Sequence, residues 1–441
     1  FASIFAIFTS QAWNMAFSFY QSLRTVPTEL TEAAESFRLS PWMRFWQLEV
    51  PFGLPALVWN MMMSMSGGWF FVVASESISV GRTSVTLPGV GSYIALAIER
   101  RDLTAIGWAI LTMFLVILAY DQLLFRPLVA WVDRFRVEQE PGAHEPHSWA
   151  LTMMRRSRLI QAAKLAFHAT VLWTSRAVRR EDPRPPDVAA VRRSRSQDRV
   201  WVGIVATLVA IGVWRIATDL VAHTDPAEFV HVVGLAVLTM IRVFVLIVLA
   251  SLVWVPIGIW VGLRPRVAEI VQPIAQFMAA FPANLLFPIA IYAIVVWRLR
   301  PDIWLSPLMI LGTQWYILFN VIAGAAALPT ELRQVSANLG VKGWLWWRKV
   351  ALPGVLPYYV TGAITASGGS WNAAQVAELV NWGHTRIEAQ GLGSYIANAT
   401  AAGRFNRIVL GVGVMSLFVV ALNRLFWRPL YYYAERRFRL N

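Results

Sequence analysis

The chain has 441 residues, of which 57% are hydrophobic and 15% charged, and its mean hydropathy is +0.52. Soluble domains run near 45–50% apolar and about 25% charged, so this composition argues against a water-soluble globule and for a bilayer as the solvent of 22 Trp and 24 Phe. The net charge of +14 fits either nucleic acid or the basic cytoplasmic face of a membrane protein, while zero Cys and six scattered His without an HExxH pattern leave no thiol chemistry and no metal or catalytic centre.

The first residues, Phe1-Ala2-Ser3-Ile4-Phe5, are already apolar, with neither an initiator Met nor the basic segment of a signal peptide before them, so an amino-terminal part is expected upstream. Apolar stretches near the roughly 20 residues that cross a bilayer as helix then recur. We expect spans at about 1–23, 52–75, 103–125, 200–221, 234–262, 270–297, 303–327, 353–377 and 405–427. Gly53, Pro55, Pro256, Pro282, Pro288 and Pro357 fall inside them. Membrane helices tolerate such breaks where neighbours satisfy the freed backbone groups. The runs lack the alternation of a lipid-facing strand, so the expected fold is an all-α polytopic membrane protein and not a β-barrel.

Between residues 134 and 199 the pattern changes. Eleven Arg from Arg155 to Arg199, with Pro183, Pro185 and Pro186, mark a linker between two membrane units, 1–133 and 200–441. Its middle, Leu159 to Trp173, fits either a solvated tether or an amphipathic helix on the anionic inner leaflet, and in both cases the Arg content places it in the cytoplasm.

The two units repeat each other at a constant separation of 302 positions. Pro27-Thr28-Glu29-Leu30 recurs as Pro329-Thr330-Glu331-Leu332, Trp42 as Trp344, Pro51 as Pro353, and Leu54-Pro55 as Leu356-Pro357. Gly67, Trp69 and Glu76 recur as Gly369, Trp371 and Glu378, Gly91-Ser92-Tyr93-Ile94 as Gly393-Ser394-Tyr395-Ile396, and Arg126-Pro127-Leu128 as Arg428-Pro429-Leu430. No gap is needed over about a hundred residues, so the chain holds two copies of one module. The second copy begins near Val200, which puts the expected start of the first about a hundred residues before Phe1. We therefore expect six plus six spans in the complete protein and three plus six in this chain, with the copies related as parallel repeats.

The loop after the first span reads Glu32-Ala33-Ala34, then Arg38, and closes on Leu48, Val50 and Pro51. This resembles the EAA loop of the inner-membrane permeases of binding-protein-dependent ABC importers: Glu-Ala-Ala, three residues, Gly, nine residues, Ile-x-Leu-Pro. Arg38 stands where that family has Gly. In the second copy Gln334, Val335 and Ser336 replace the opening, Gly340 occupies the turn, and Val350, Leu352 and Pro353 supply the close. The residues themselves describe a polar helix-turn-helix knob. Pro27 suits a first helical turn, Glu29 favours the positive helix end, Ala33 and Ala34 allow close approach of a partner surface, and Gly340 can take a left-handed turn.

The resemblance implies a type I importer membrane domain in the bacterial-type inner membrane, with linker and carboxyl terminus cytoplasmic. It implies two ATPase subunits docked on the two loops and an extracytoplasmic solute-binding protein. The chain has no phosphate-binding loop of the GxxxxGK(S/T) type, so ATP and Mg belong to the partner and this chain holds no cofactor. Gln272-Pro273, Phe281-Pro282, Pro288, Ala377-Glu378 and Gly391-Leu392-Gly393 resemble the nitrate, sulfonate and taurine branch of these permeases, which implies a small anion as solute. The basic excess is then a topology signal, and no nucleic acid is expected.

Polar side chains in the bilayer are costly, so a solute pathway is sought at Asn14, Asn60, Ser64, Gln314, Asn320, Ser367, Asn372 and Gln375, which interhelical hydrogen bonding would equally explain. Glu76 and Glu378 end equivalent spans and fit either a gate or receptor contact, or an interfacial carboxylate beside Arg82 or Arg386. Two other readings compete with the importer: an ion-coupled secondary transporter, which tandem repeats also fit, and a membrane anchor or sensor that keeps the docking loops and moves nothing.

Overall fold

In the computed structural model of the chain the described residues are 2–80, 83–132, 188–223 and 225–438, with isolated positions between them. The middle of the linker, 159–173, read as a tether or an amphipathic helix, and Arg82 lie outside them.

The first copy runs through α1 (Ala2–Arg24), α2 (Thr28–Ser36), α3 (Pro41–Arg44), a π-turn (Phe45–Glu49) and α4 (Val50–Ser75). A hairpin of β1 (Ser77–Val80) and β2 (Thr83–Thr86) follows, then α5 (Val90–Glu99), α6 (Leu103–Tyr120), a π-turn (Asp121–Phe125) and α7 (Arg126–Val132). The second copy opens with α8 (Val188–His223), α9 (Pro226–Gly262), α10 (Pro265–Ala280), α11 (Phe287–Val296), α12 (Pro301–Trp304) and α13 (Gln314–Ala326). It continues with α14 (Thr330–Asn338), α15 (Gly343–Trp346), a π-turn (Trp347–Ala351), α16 (Leu352–Ala377), the hairpin β3 (Leu379–Trp382) and β4 (Thr385–Glu388), α17 (Leu392–Ala401), α18 (Phe405–Leu422), a π-turn (Asn423–Trp427) and α19 (Arg428–Phe438).

From Thr28 to Arg126 every element begins at a residue whose partner 302 positions on begins the same kind of element, including both π-turns and both hairpins. The two hairpins share one antiparallel register, Ser77 opposite Thr86 and Leu379 opposite Glu388. The strands are four residues long in each copy, and in the second a two-residue turn, Gly383-His384, joins them. Gly383, at φ 58°, supplies the positive φ that such a turn needs.

The apolar segments all fall on helices. Among the described residues, Leu103–Val132, Pro226–Gly262 and Phe405–Arg437 are each long and apolar enough to cross a bilayer, and Pro41–Ser75, Pro265–Val296 and Pro301–Ala326 meet the same condition as broken pairs. The sharpest break has a sequence cause. Pro282 lacks an amide hydrogen and pushes Phe281 into extended backbone (φ −71°, ψ 128°), and the chain bends by 76° there. A second break at 310–313 bends 301–326 by 46°. Ala2–Arg24 and Val188–His223, on the expected spans 1–23 and 200–221, are not among these helices, and neither is Leu352–Ala377. Its Gly354, Gly362, Ala363, Ala366, Ser367, Ser370 and Ala374 are buried against protein, so small residues replace the lipid-facing apolar ones.

By contacts the chain forms two bodies, one of residues 7–65 with 115–219, the other of 1–6, 66–114 and 220–441. In the first, the Phe19 ring of α1 sits where a side chain on Gly53 of α4 would be, and it meets Phe45 edge-on at 6.4 Å. In the second, α9, α13 and α16 form the centre. Gly258 and Gly262 of α9 let it lie directly on Val321 and Ile322 of α13, and Gly362 of α16 does the same at Tyr316. Ile317, Val321, Ala351, Val355, Val360, Ala363 and Trp371 fill the space between.

Candidate functional site

Each copy presents a helix-turn-helix loop at one end of its long helix. In the first, α2 ends on Phe37; Arg38 donates its backbone N–H to Glu35 O (2.9 Å) and Leu39 to Ala34 O (3.0 Å). This pair of reversed bonds closes a helix through a left-handed residue, and Arg38 lies at φ 50°. Ser40 then caps α3, its Oγ accepting from Met43 N at 3.3 Å. In the second copy Gly340 at φ 67° donates to Ala337 O (3.0 Å) and Val341 to Ser336 O (2.9 Å). The left-handed turn read from Gly340 is therefore present in both loops.

Arg38 holds that turn against the steric preference of an L-residue, which costs on the order of 1–2 kcal/mol. Arg38→Gly is expected to stabilise the chain by about 1 kcal/mol and Gly340→Ala to destabilise it by a similar amount, measured as thermal unfolding in detergent.

Burial divides the loop residues. Ala34 is 5% exposed and its counterpart Ser336 is buried too, so these small residues seat the helix on its own copy, and of the two alanines it is Ala33 that lies at the surface. Glu32, Arg38, Gln334, Val335 and Gly340 are exposed; Leu48, Val50 and Pro51 are half-buried, Val350 is buried, Leu352 is exposed and Pro353 is half-buried. The most exposed apolar groups of the loops are Phe37 (79%) and its counterpart Leu339 (74%), together with Trp344 (74%), whereas Trp42 is 37% exposed and packs on Phe45 and Trp46. These tip residues escape a reading based on the Glu-Ala-Ala pattern alone, although Trp42 and Trp344 already mark the repeat.

The opposite end of each long helix carries a carboxylate, half-buried at Glu76 and buried at Glu378. Glu378, 1% exposed, follows α16 and caps the start of α17: its Oε2 accepts from Gly393 N (2.7 Å) and Ser394 N (3.2 Å). Its Oε1 accepts from Thr239 Oγ1 (2.8 Å) and Arg242 (3.2 Å). Arg242 also donates to Gln390 O (2.6 Å) and Asp302 Oδ1 (3.2 Å), and Thr239 accepts from Leu392 N (2.9 Å). In the first copy Glu76 Oε2 accepts from Gly91 N at 2.5 Å.

This explains why Gly89-Val90-Gly91 and Gly391-Leu392-Gly393 stand at equivalent positions. A side chain on Gly89 or Gly391 would strike the Glu76 or Glu378 carboxylate, and one on Gly91 or Gly393 would strike the backbone of Val73 or Ala374. The glycines are the starts of short helices held by carboxylates. The basic neighbour of Glu378 is Arg242; Arg386 pairs with Glu388 at 3.2 Å. Arg242 is a lone cation inside an apolar run, a signal that could have found it. Nearby, Glu228 accepts from Tyr395 Oη (2.9 Å) and pairs with Arg407 (2.7 Å); burial and the Glu228 carboxylate push the Tyr395 phenol well above its usual range.

Within the second body the two hairpin ends meet. Gly383 N donates to Ile98 O (3.0 Å) and Arg101 donates to Thr385 Oγ1 (3.1 Å). Arg101, at φ 56°, lies over Gly383, and its counterpart Gly403 carries no such side chain.

Several of the polar residues sought as a pathway make local hydrogen bonds. Ser64 donates to Asn60 (3.2 Å); Gln314 accepts from Trp254 Nε1 (2.9 Å); Asn320 donates to Tyr316 O (2.8 Å); Gln375 Nε2 meets Met415 Sδ at 3.3 Å. Ser367 is buried and Asn372 exposed, while the Asn14 side chain lies outside the described residues.

Residues 1–134 and 254–440 match the family described as the binding-protein-dependent transport system inner membrane component. The bicarbonate transport system permease protein CmpB of Synechococcus elongatus is 29% identical over 164 residues, 37% of this chain and 56% of that protein. The nitrate import permease protein NrtB of Leptolyngbya laminosa is 27% identical over 184 residues, 42% of this chain and 62% of that protein. The taurine transport system permease protein TauC of Escherichia coli is 25% identical over 183 residues, 41% and 62% of the two chains. The chain thus spans 56–62% of the length of these relatives. With both copies matched, over more than half its length, the chain belongs to the binding-protein-dependent transport system inner membrane component family.

Proposed function

We propose that the chain is the membrane subunit of an ATP-driven importer of a small anion, of the class of nitrate, bicarbonate or a sulfonate such as taurine. The observation that carries this reading is the pair of matched loops, each a helix-turn-helix with an exposed apolar tip at Phe37 or Leu339, on a chain without a phosphate-binding loop. Two ATPase subunits, with their ATP and Mg, take the loops on the cytoplasmic side, where the Arg-rich linker and the carboxyl terminus also lie. A solute-binding protein takes the hairpin end. The names of the relatives support the solute class.

The second copy suggests how motion travels. From Gly343 through the π-turn to Ala377 the chain is one helical rod, about 50 Å long at 1.5 Å per residue. The docking loop is at one end and Glu378 at the other, so a displacement of the loop reaches the short helix Leu392–Ala401 through a carboxylate that ties it to the rod. Charge reversal across 28–40 and 330–342 is expected to leave the chain folded and ATP hydrolysis by the partner intact while abolishing uptake, measured together in reconstituted vesicles. Uptake at the original rate with both loops altered refutes the reading.

A further inference from the structure

The two loops are alike in shape and opposite in charge. Residues 28–51 hold Glu29, Glu32, Glu35 and Glu49 against Arg38 and Arg44, a formal −2; residues 330–353 hold Glu331 against Arg333, Lys342, Arg348 and Lys349, a formal +3. The difference lies at equivalent surface positions. Exposed Glu32 and Glu35 are replaced by Gln334 and Ala337, and exposed Lys342, Arg348 and Lys349 stand where the first loop has Ser40, Trp46 and Gln47. Arg44, one of the two bases of the first loop, is half-buried and is engaged inside it, by Glu49 at 3.1 Å and Glu35 at 3.9 Å. The apolar tips are held in common: Phe37 matches Leu339 and Trp42 matches Trp344.

Resting on the coupling reading above, we infer that the two loops are fitted to two non-identical ATPase subunits, with grooves of the same shape and opposite rim charge. The shared apolar tip enters a common groove. The rim decides which subunit is accepted: a basic rim suits the first loop and an acidic rim the second. A homodimer offers both loops the same rim, and like charges juxtaposed across an interface exclude a partner by several kcal/mol.

The chain contains no Cys, so Phe37→Cys and Leu339→Cys each place a single thiol at one loop tip of the full chain. In native membranes, thiol-directed crosslinking after photolabelling with an azido-ATP probe, followed by mass spectrometry, identifies the nucleotide-binding polypeptide at each tip. Two different ATPase polypeptides are expected, one per position. The same polypeptide at both positions overturns the inference and leaves the coupling reading standing. No nucleotide-labelled product at either position overturns both. A surface variant, Glu32→Lys with Glu35→Lys, is expected to cut the crosslink yield at position 37 at least tenfold and leave position 339 unchanged; equal yields at both positions also overturn it.

Discussion

Glu378→Ala is expected to destabilise the hairpin end of the second copy by about 3 kcal/mol, the lower end of the range for removing one partner of a buried ion pair. The Arg242 side chain is only 10% exposed and loses the carboxylate at 3.2 Å, keeping Asp302 and Gln390 O, while the backbone N–H groups of Gly393 and Ser394 lose their acceptor. Hydrogen exchange in nanodiscs reads the loss directly: 3 kcal/mol corresponds to about a hundredfold faster exchange at those two amides. Glu76→Ala removes one charge-assisted bond and is expected to cost about half as much. Unchanged protection at Gly393 and Ser394 would show that the carboxylate does not hold the helix.

The second large effect is expected at the loop tips. Phe37→Asp combined with Leu339→Asp should weaken ATPase association at least a hundredfold, because buried apolar anchors at an interface are commonly worth about 2 kcal/mol or more each. Both side chains are largely exposed in the chain alone, so its fold should not change. Titration of purified ATPase onto the reconstituted chain, with helical content by circular dichroism as the control, separates docking from folding. An affinity within twofold of the original removes the tips from the interface.

Much of this architecture is legible in the sequence because the repeat is exact in register. Identities at one separation require no knowledge of structure, and Pro27, Trp42, Gly91 and Arg126 each precede or lie in the first turn of an element that recurs 302 positions on. The turn at Gly340 is legible for the same reason that it needs Gly; at Arg38 only the partner copy reveals it. What the sequence hides is nonlocal. Thr239 and Arg242 lie more than 130 positions from Glu378, and nothing in their neighbourhood indicates that they close on it. The hairpins are hidden by brevity, since Leu379–Trp382 is too short for alternation to register. The burial of Ala34 is hidden because one face of a nine-residue helix, Thr28–Ser36, cannot be assigned from so few apolar positions. Two of the polar residues of the spans are hydrogen-bonded inside the bundle in ways their own neighbourhood does not announce: Gln314 accepts from Trp254 of Pro226–Gly262, and Asn320 donates to Tyr316 O of its own helix.

The central claim, that this chain passes a solute only when a separate ATPase closes on its two loops, is tested most directly by uptake into proteoliposomes containing the full chain and its ATPase, with the solute-binding protein outside and ATP or a nonhydrolysable analogue inside. Nitrate, bicarbonate and taurine are offered in turn as labelled solutes. The account predicts that uptake of at least one requires hydrolysable ATP and survives collapse of the proton and sodium gradients. Uptake driven by an ion gradient with no ATP present would contradict it.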